Sequence, residues 1–478
     1  MKIYSSKEPH SRTTKKTLEG FETPSWLQTI QGVFDPITYL EKGRARYGDI
    51  FKGKGFGYRQ VVFLGHPDAI EQAFAANPDC FDSFDTGISS KQRVSTSTKC
   101  FDSGIGNAML EPVLGDRSIL LLDGAAHQQQ RKLLMPPFHG ERMRTYGHTI
   151  CQITEGVSDQ WSKNKPFLMR TQTQEIALRV IIRAVFGVKD SSRFERMREL
   201  LGAILDTFGS AASSSLLFVK VLQQDLGDWS PWGKFLRRIK AINELIFTEI
   251  RDRQTQPPGE DILSLMMAAR DENGEAMTEL ELRDELISLL VAGHETTASA
   301  LAWAFYLIHR NPEVLERLLE EFNGLDPETD PSAIALLPYL SAVCSETLRM
   351  YPLTIFASIR LLKAPMEIMG YYLEEGTALL PCIYLVHQRE DLYPNPKQFR
   401  PERFLERDFS PYEYFPFGGG KRFCIGHAFA LFEMKLVLAT VLKQVKLGLL
   451  EKRPIKSTRR GMVLTPSSGV RMMVVNSY

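Results

Sequence analysis

The chain has 478 residues, of which 43% are hydrophobic and 24% charged, the composition of an ordinary globular protein. Its formal net charge of +1 gives no reason to expect nucleic acid as a partner. The six cysteines are scattered without a Cys-x-x-Cys pair, which fits a reducing compartment better than a disulfide framework.

The sequence carries no signal for export or membrane insertion. The charged N-terminus lacks the apolar core of a signal peptide, and no stretch approaches the roughly 20 apolar residues of a membrane span. No linker, repeat or low-complexity segment divides the chain. We therefore expect one cytoplasmic domain over residues 1–478 without a transmembrane anchor, in which residues 1–25 form a poorly ordered extension.

The first half of the chain predicts a strand pair followed by helices. Residues 60–64, closed by a Gly-His-Pro turn, predict a strand with residues 50–54 as its partner. Residues 84–118 lack periodicity and predict a loop, and the small, polar residues 209–215 predict a mobile connection. Helical periodicity predicts helices over residues 125–134, 141–163, 171–187, 191–209 and 232–254.

The second half contains the clearest helix. Thr278 and Glu281 form a capping box, and Asn311-Pro312 marks the far end. This gives about 33 residues, or some 50 Å at 1.5 Å per residue. Further elements are predicted as a helix beginning at Pro312, a helix over 338–350, strands over 366–372 and 377–383, and an irregular stretch over 391–404. The expected fold class is mainly α with small β-sheets.

Residues 417–426 read Phe-Gly-Gly-Gly-Lys-Arg-Phe-Cys-Ile-Gly, and an apolar helix follows directly. Cys424 therefore lies on a Gly-rich loop at a helix N-terminus, where the helix dipole and free N–H groups favour a thiolate. A single thiolate does not make a zinc site, which needs three or four protein ligands, but it can be the one axial ligand of a haem iron. The alternative is a structural, buried cysteine in a glycine turn.

Residues 292–297, Ala-Gly-His-Glu-Thr-Thr, lie midway along the longest predicted helix. A glycine inside a helix costs about 1 kcal/mol relative to alanine, so it usually has a packing or functional reason. An acid and two hydroxyl groups beside an apolar run would need partners if buried. The alternative is that the threonines bond back to the carbonyl four residues earlier and satisfy themselves.

Together these two segments resemble the cytochrome P450 family. The cysteine loop fits Phe-x-x-Gly-x-Arg-x-Cys-x-Gly at every fixed position, and the helix fits Ala/Gly-Gly-x-Asp/Glu-Thr-Thr/Ser. The fixed positions of the loop are Phe417, Gly420, Arg422, Cys424 and Gly426. The resemblance implies a cytochrome P450 fold with haem b (iron protoporphyrin IX) between the long helix and the cysteine loop, and with the Cys424 thiolate on the iron.

The resemblance also implies roles around the haem. Phe417 would pack by the sulfur, Arg422 would bind a propionate, and Gly426 would let the following helix approach the porphyrin. On the other face, Ala292 and Gly293 would leave space for dioxygen. Thr296 would donate a hydrogen bond to bound oxygen and Glu295 would relay protons, with His294 a neighbour and not a ligand.

Three further basic residues match the family positions that bind haem propionates. His127 and Arg131 lie four residues apart and so point the same way along a helix. Arg360 is the third, and arginine suits the role because it bonds carboxylates in bidentate fashion. The alternative for each is a solvated basic side chain.

Glu346 and Arg349 share a face of the helix over 338–350, and their apolar neighbours suggest a buried pair. They match the Glu-x-x-Arg element of the family, and Arg403 matches the third member of that triad. The implied role is structural, to hold the irregular stretch that leads to the cysteine loop.

The function implied is a haem-thiolate monooxygenase that inserts one oxygen atom of O₂ into a lipophilic molecule such as a fatty acid or terpenoid. No fused flavin or iron–sulfur module is visible, so the electrons would come from a ferredoxin and a ferredoxin reductase, and a monomer is expected. Lys132, Lys421 and Arg422 could attract an acidic carrier. The implied substrate pocket has residues 84–118 as its lid and the lining residues Leu289, Ala292, Thr354, Ile355, Phe356 and Ser467.

Two other functions are compatible with a haem-thiolate fold. One is a peroxygenase or a hydroperoxide isomerase, but those relatives often lose the acid–threonine pair that Glu295 and Thr296 provide here. The other is a haem-based gas sensor or carrier, which would usually have an output domain, and none is visible in the sequence.

Overall fold

The computed structural model describes most of the chain. The described residues are 17–55, 58–76, 81–82, 110–138, 142–187, 191–205, 223–257, 259–326, 329–461 and 463–477. Most of the predicted lid over 84–118 lies outside these residues, as do the predicted connection over 209–215 and the first sixteen residues of the predicted N-terminal extension.

Helices make up most of the described structure. In chain order they are α1 (Ser25–Phe34), α2 (Pro36–Tyr47), α3 (Pro67–Ala75), α4 (Glu111–Leu114), α5 (Gly124–Leu134), α6 (Arg142–Ser158), α7 (Met169–Phe186), α8 (Ser191–Leu205), α9 (Pro231–Gln254), α10 (Ile262–Ala268), α11 (Glu279–Arg310), α12 (Pro312–Asn323), α13 (Pro331–Ile334), α14 (Pro338–Met350), α15 (Ile383–His387), α16 (Arg403–Glu406) and α17 (His427–Gln444). None of them combines the length and hydropathy that crossing a bilayer requires.

The strands form small sheets. They are β1 (Ile50–Gly55), β2 (Tyr58–Leu64), β3 (Phe81–Asp82), β4 (Pro166–Leu168), β5 (Arg360–Leu362), β6 (Met366–Ile368), β7 (Tyr371–Leu373), β8 (Thr377–Pro381), β9 (Val445–Leu449), β10 (Ser457–Arg460), β11 (Val463–Pro466) and β12 (Arg471–Ser477). The largest sheet has the order β1-β2-β8-β5-β3, in which β2 and β8 are parallel and the other pairs antiparallel. Smaller sheets are β4-β12-β9, β10-β11 and β6-β7.

This architecture confirms the predicted fold class, mainly α with small β-sheets. The predicted pairing near the N-terminus is also correct, since Ile50 pairs with Leu64 in an antiparallel register. The prediction of one strand over 366–372 is wrong. A turn at Met369-Gly370, both with positive φ, divides this stretch into the hairpin β6-β7.

The structure of residues 17–24 differs from the prediction of a poorly ordered extension up to residue 25. The Lys52 N–H donates to the Glu19 carbonyl at 2.9 Å, and the Phe21 N–H donates to the Lys52 carbonyl at 3.1 Å. Residues 17–24 therefore lie along β1 as an added extended segment, and α1 begins directly after them.

Helix α11 is the central element and has 32 residues, close to the predicted length. The predicted capping box is present, because Thr278 accepts from the Glu281 N–H and Glu281 accepts from the Thr278 N–H. From Thr297 to Ile308 every side chain is buried, because α7, α14 and α17 pack around this part. The helix thus passes through the main apolar core.

Candidate active site

The cysteine loop, residues 417–426, leads into α17. The Cys424 N–H donates to the Phe417 carbonyl at 3.1 Å, which closes the loop on itself. Gly420 has φ +63°, and a Cβ there would lie 2.7 Å from Arg360 Nη2. Both the backbone conformation and the close approach of Arg360 therefore require glycine at this position.

Cys424 is closely surrounded by protein, yet its side chain retains accessible surface, which means that it opens onto a recess. A Cβ on Gly426 would meet no atom within 4 Å, so the space beside the thiol is open. Burial raises the pKa of Cys424, while the Gly426 N–H and the charge of Arg131 lower it in part. Desolvation by the surrounding protein therefore outweighs the helix terminus at this thiol, whereas the sequence argument considered only the helix terminus.

Two arginines from different elements reach the cysteine loop. Arg131 of α5 donates from Nη1 to the Phe423 carbonyl at 2.7 Å. Arg360 of β5 is buried and donates from Nη1 to the Ala73 carbonyl at 2.6 Å, and its Nη2 lies 3.5 Å from the Gly419 carbonyl. The fold therefore brings the predicted propionate residues of α5 and β5 to one loop.

Arg422 connects the cysteine loop to the segment before α5. It donates from Nη1 to the Ile119 carbonyl at 3.1 Å and from Nη2 to the Leu122 carbonyl and the Asp123 carboxylate. In the ion pair between Arg422 and Asp123, the arginine side chain is largely shielded from solvent. Arg422 is therefore engaged by the fold itself, which leaves it less free to attract a redox partner.

Positive charge is in excess around this loop. Burial lowers the pKa of His127 to about 4, helped by the neighbouring charges of Arg422 and Arg131. Burial also lowers the pKa of Arg360 to about 10, with repulsion from Arg422 contributing. Burial lowers the pKa of Arg422, and the neighbouring Asp123 carboxylate offsets part of this effect. Additional negative charge from two carboxylates would relieve this repulsion.

A strap of residues 117–123 joins the long helix to the cysteine loop. The Ile119 N–H donates to Glu285 Oε1 of α11 at 2.7 Å, while the Ile119 carbonyl accepts from Arg422. The Arg117 N–H donates to Asp284 Oδ2 at 3.0 Å. One peptide segment is thus held from both sides, by two acids of α11 and by the arginine of the loop.

Glu285 is fully buried in this strap contact. Desolvation raises its pKa to about 8, with Asp284 and Glu281 adding repulsion and the Ile119 N–H acting in the opposite direction. The raised pKa favours the neutral carboxylic acid at pH 7. Beside it, the Ser118 and Ser288 hydroxyl groups are hydrogen-bonded at 2.6 Å, which satisfies two further buried polar groups.

The middle of α11 presents open space at Ala292, which is exposed, whereas the helix is buried from Thr297 to Ile308. Gly293 does not share this space as the resemblance implied. A Cβ there would lie 3.0 Å from Ile181 Cδ1 of α7, so the glycine permits close packing of two helices. His294 is buried, and its Nε2 lies 3.2 Å from the Gln174 carbonyl of α7.

Thr296 and Glu295 have defined partners. The Thr296 hydroxyl donates to the Ala292 carbonyl at 2.6 Å, the back-bonded geometry that the sequence left open as an alternative. Glu295 accepts from Arg170 Nη2 at 2.6 Å and from Gln174 Nε2 at 2.8 Å. The carboxylate is therefore held against α7 by a nearly buried arginine while it remains partly open to solvent.

Glu346, Arg349 and Arg403 form one buried cluster. Arg349 bonds Glu346 in bidentate fashion at 2.6 and 2.8 Å, and Arg403 Nε lies 3.3 Å from the same carboxylate. Arg349 also donates to the carbonyls of His387 and Pro396, both at 2.8 Å. The cluster therefore fixes the backbone of the irregular stretch before the cysteine loop.

The residues predicted to line a pocket lie on separate elements. Leu289 is half-buried and packs against the main core, whereas Ile355 is buried in the core beneath the largest sheet. Phe356 contacts the ring of Phe63 at 5.8 Å between centroids, and Thr354 is half-buried beside it in sequence. The Leu464 N–H donates to the Leu353 carbonyl at 2.8 Å, so β11 lies beside the segment that contains Thr354, and Ser467 is exposed in the turn after β11.

These residues fit a haem. The donor set is one thiol on a closed loop with open space at Gly426, and the histidine and three arginines gathered around this loop would hold the two propionates. Within the described ranges no group of three or more His, Cys, Asp or Glu side chains is arranged to hold a metal ion, so a cluster of protein ligands does not compete with this assignment.

The comparison with known proteins defines the class. The family model of cytochrome P450 matches residues 25–474, and the chain belongs to this family. The family is one of haem-thiolate oxidoreductases, generally monooxygenases, whose iron is held by a cysteine thiolate. The resemblance drawn from the sequence is thereby confirmed.

Particular relatives are bacterial. The chain is 34% identical over 454 residues to cytochrome P450 135B1 of Mycobacterium tuberculosis (strain H37Rv), covering 94% of this chain and 89% of the relative. Among solved structures, the retinoic acid-bound cyanobacterial CYP120A1 is 26% identical with a TM-score of 0.79, covering 96% and 99% of the two chains. The cytochrome P450DA heme domain, at 20% identity and a TM-score of 0.79, supports the fold alone.

Four residues of the site were missed by the sequence reasoning. Asp123 precedes α5 as its N-cap residue, a position where acids are common, and this signal could have found it. Arg170, Gln174 and Glu285 lie in ordinary helical stretches. Their roles depend on contacts across 121 to 166 sequence positions, which a local pattern does not contain.

Proposed function

We propose that this chain is a monooxygenase that oxidises a lipophilic molecule at a haem held by Cys424. The observation that carries the proposal is the gathering of His127, Arg131, Arg360 and Arg422 around the loop that presents a single cysteine. Such a cluster suits two carboxylates on one rigid ligand. The haem, when bound, supplies reductive activation of O₂ and transfer of one oxygen atom.

The chain's own residues would handle protons. Glu295 is partly open to solvent and could accept a proton there, while Arg170 and Gln174 fix its orientation. The Thr296 hydroxyl belongs to the next residue. Rotation about its side-chain bond would let this hydroxyl donate its hydrogen bond to a ligand instead of to the Ala292 carbonyl. Positioned proton transfer of this kind contributes about 10²–10⁴-fold in rate.

A lipophilic substrate is supported by the surface around the mid-helix opening. Leu289 and Ala292 of α11 are apolar, and the family resemblance adds Thr354 and Phe356, whose side chains are apolar or small and uncharged. The structural relative named above is described with retinoic acid, a lipophile that carries one carboxylate. We propose fatty acids or terpenoids as the substrate class, with any carboxylate kept near the mouth of the pocket, because apolar burial fixes such ligands.

The test is a titration of the haem-containing protein with fatty acids, sesquiterpenes and steroids against small charged metabolites, following the spin state of the iron. Ala292→Phe should fill the opening beside α11 and abolish the response to the lipophiles. Leu280→Phe, an exposed leucine at the start of the same helix, is the matched control and should leave the response unchanged. A response confined to charged metabolites would contradict the proposal.

We also propose that electrons come from a ferredoxin and its reductase, and that the chain works in the cytoplasm as a single haem domain. The exposed Lys421 within the cysteine loop supports docking of an acidic carrier, whereas Lys132 is already paired with Glu272 at 2.5 Å. Among the described residues, the unpaired thiols Cys151, Cys344 and Cys382 support a reducing compartment.

Lys421→Glu should slow reduction by ferredoxin by about fivefold at low salt, since rim charges act mainly on association. The control is Lys452→Glu, an exposed lysine after β9. Equal rates of reduction for the two variants would show that Lys421 is not part of the docking surface.

A further inference from the structure

The small sheet β4-β12-β9 has one buried face and one open face. Met472 and Val474 of β12 are buried in the main core, whereas Arg471 and Val475 on the same strand are exposed. On the neighbouring strand β9, Lys446 is exposed between two buried residues. An antiparallel sheet of this kind packs one face on the core and leaves the other available for contact.

Positive charge is concentrated on the open face of this sheet and on the turns around it. The segments that build the sheet, residues 159–168, 443–453 and 471–477, contain seven lysines or arginines and two acids, although the whole chain has a net charge of only +1. All seven cations are exposed. They are Lys163, Lys165, Lys443, Lys446, Lys452, Arg453 and Arg471. We call the surface that they form the basic sheet face.

The charge of the basic sheet face is not neutralised by the protein. Within the described ranges none of its seven cations forms an ion pair. Asp159 accepts from the Gln444 side chain, and Glu451 accepts from the Arg471 N–H at 3.0 Å, so both acids are bonded to neutral groups. Glu155 of α6 is a third acid near the end of α17, and the cations still outnumber the acids. Protein surfaces normally mix both signs, and a field of one sign attracts a partner of opposite charge.

A few aliphatic side chains lie among these cations. Leu168 of β4 pairs with Arg471 of β12, and its exposed fraction is 42%. Val475, at the register shift of β12, is 38% exposed. A Cβ on Gly448 of β9 would lie 3.0 Å from Val475 Cγ2, so this glycine lets the valine lie across the neighbouring strand. The basic sheet face therefore combines cations with shallow apolar contacts.

The residue types of the basic sheet face favour a lipid surface over a specific protein partner. Five of the seven cations are lysines, which are depleted from protein–protein interfaces, where arginine and aromatic residues are enriched. An ammonium group binds phosphate as a point charge and needs no fixed geometry. Clusters of roughly four to eight lysines or arginines at a membrane surface bind anionic lipids. Lysine stems can also cover apolar surface while the charge stays in the headgroup layer.

The basic sheet face is separate from the surface around Lys421 that is proposed for the electron carrier. Helix α17 begins at the end of the cysteine loop and ends where β9 starts, and its 18 residues span about 27 Å. A carrier on the basic sheet face would therefore be a full helix length from Cys424. Because electron transfer slows steeply with distance, this face needs a different partner.

We propose that the basic sheet face binds the headgroups of an anionic lipid membrane, with Leu168 and Val475 in shallow contact with the bilayer. The protein then lies on the membrane surface through the sheet β4-β12-β9. This inference goes beyond the proposed oxidation chemistry and does not depend on it, because it rests on the charges and exposure of this sheet alone.

The experiment is co-sedimentation of the full-length, haem-containing protein with vesicles of phosphatidylcholine, with and without about 30% phosphatidylserine. Binding is expected only to the anionic vesicles and should weaken between about 50 mM and about 500 mM salt. The triple variant Lys165→Glu, Lys446→Glu, Arg453→Glu reverses three exposed cations whose side chains make no hydrogen bond within the described ranges. It should bind at least about tenfold more weakly.

The control variant Lys42→Glu, Lys54→Glu, Lys234→Glu makes the same change of charge at three exposed lysines outside the basic sheet face and should bind as the original chain does. A second test concerns the apolar contacts. The double variant Leu168→Ser, Val475→Ser should bind about threefold more weakly, because it removes the exposed aliphatic groups and keeps every cation.

An unchanged reduced carbon monoxide spectrum verifies that the triple variant is folded, and the same three positions changed to glutamine serve if it is not. Three results would overturn the proposal: no binding to anionic vesicles, equal binding to neutral ones, or equal binding by the triple and control variants. Reduction by ferredoxin supplies a fourth. If the triple variant alone is reduced more slowly and the original chain does not bind vesicles, the basic sheet face belongs to an acidic protein instead.

Discussion

Replacing Glu285 with glutamine is expected to remove a pH dependence from the stability of the fold. Burial raises the pKa of Glu285 to about 8 from the ordinary value of 4.5. An acid with a raised pKa in the folded state stays protonated there while the unfolded chain ionises. The free energy of unfolding therefore decreases as pH rises from about 4.5 to about 8, and the loss is complete above that range.

The size of the effect follows from these two pKa values. Each pKa unit corresponds to about 1.4 kcal/mol. Between pH 5 and pH 7 the carboxyl group is largely ionised in the unfolded chain and neutral in the folded one, which costs about 2–3 kcal/mol of stability. For a chain of 478 residues, with an unfolding entropy of about 2 cal/mol/K per residue, this is a shift of about 2–3 °C.

The assay is thermal unfolding of the original chain and of Glu285→Gln at pH 5, 6 and 7. Glutamine keeps an acceptor for the Ile119 N–H but does not titrate, so the variant should gain about 2–3 °C relative to the original chain over this range. Glu285→Ala is the control, because it also removes titration but leaves the Ile119 N–H without its partner, at a cost of about 1–3 kcal/mol at every pH. Parallel pH profiles for the original chain and Glu285→Gln would refute the reasoning.

Three further outcomes are expected. Cys424→Ala should abolish the red-shifted Soret band of the reduced carbon monoxide complex, and survival of the band would show that another group holds the iron. Thr296→Ala should keep the haem and its spectrum but divert electrons to peroxide or water, so unchanged coupling of NAD(P)H use to product would exclude the hydroxyl from the mechanism. Glu346→Gln should lower the free energy of unfolding by about 3–5 kcal/mol, because it leaves the buried Arg349 uncompensated. Glu199→Gln, in an exposed pair of the same spacing, should cost under about 0.5 kcal/mol, and similar losses in denaturant unfolding for both variants would contradict this account.

Local signals predicted much of the helical framework. The capping box at Thr278 and the proline after Asn311 marked both ends of α11, and Pro338 and Pro352 bracketed α14. These residues act through their own backbone geometry, so a short window of sequence contains the information. The short strand β8 was predicted, whereas β9 near the end of the chain was not, because packing contributes more than local pattern to such short elements.

The site was predicted where a motif is contiguous and missed where it is assembled in space. The cysteine loop could be read in one pass, and so could the segment around Thr296. The role of Gly293 could not be predicted from the sequence. A glycine that allows a neighbouring helix to pack closely looks the same in sequence as one that leaves room for a ligand. Only the position of Ile181 on α7 distinguishes the two.

The strap of residues 117–123 has a consequence for how the protein is made. Asp123 and Arg422, which meet in the finished fold, are 299 positions apart, and Arg131 and Phe423 are 292 apart. A ribosome that adds about 5–20 residues per second needs about 15–60 s to cover such a distance. During that interval α5 has no cysteine loop to contact, and the entropy of closing so long a loop must be overcome before the contact forms. We therefore expect the contacts between α5 and the cysteine loop to form late, together with the packing of α17, as a step that a nascent-chain experiment can time.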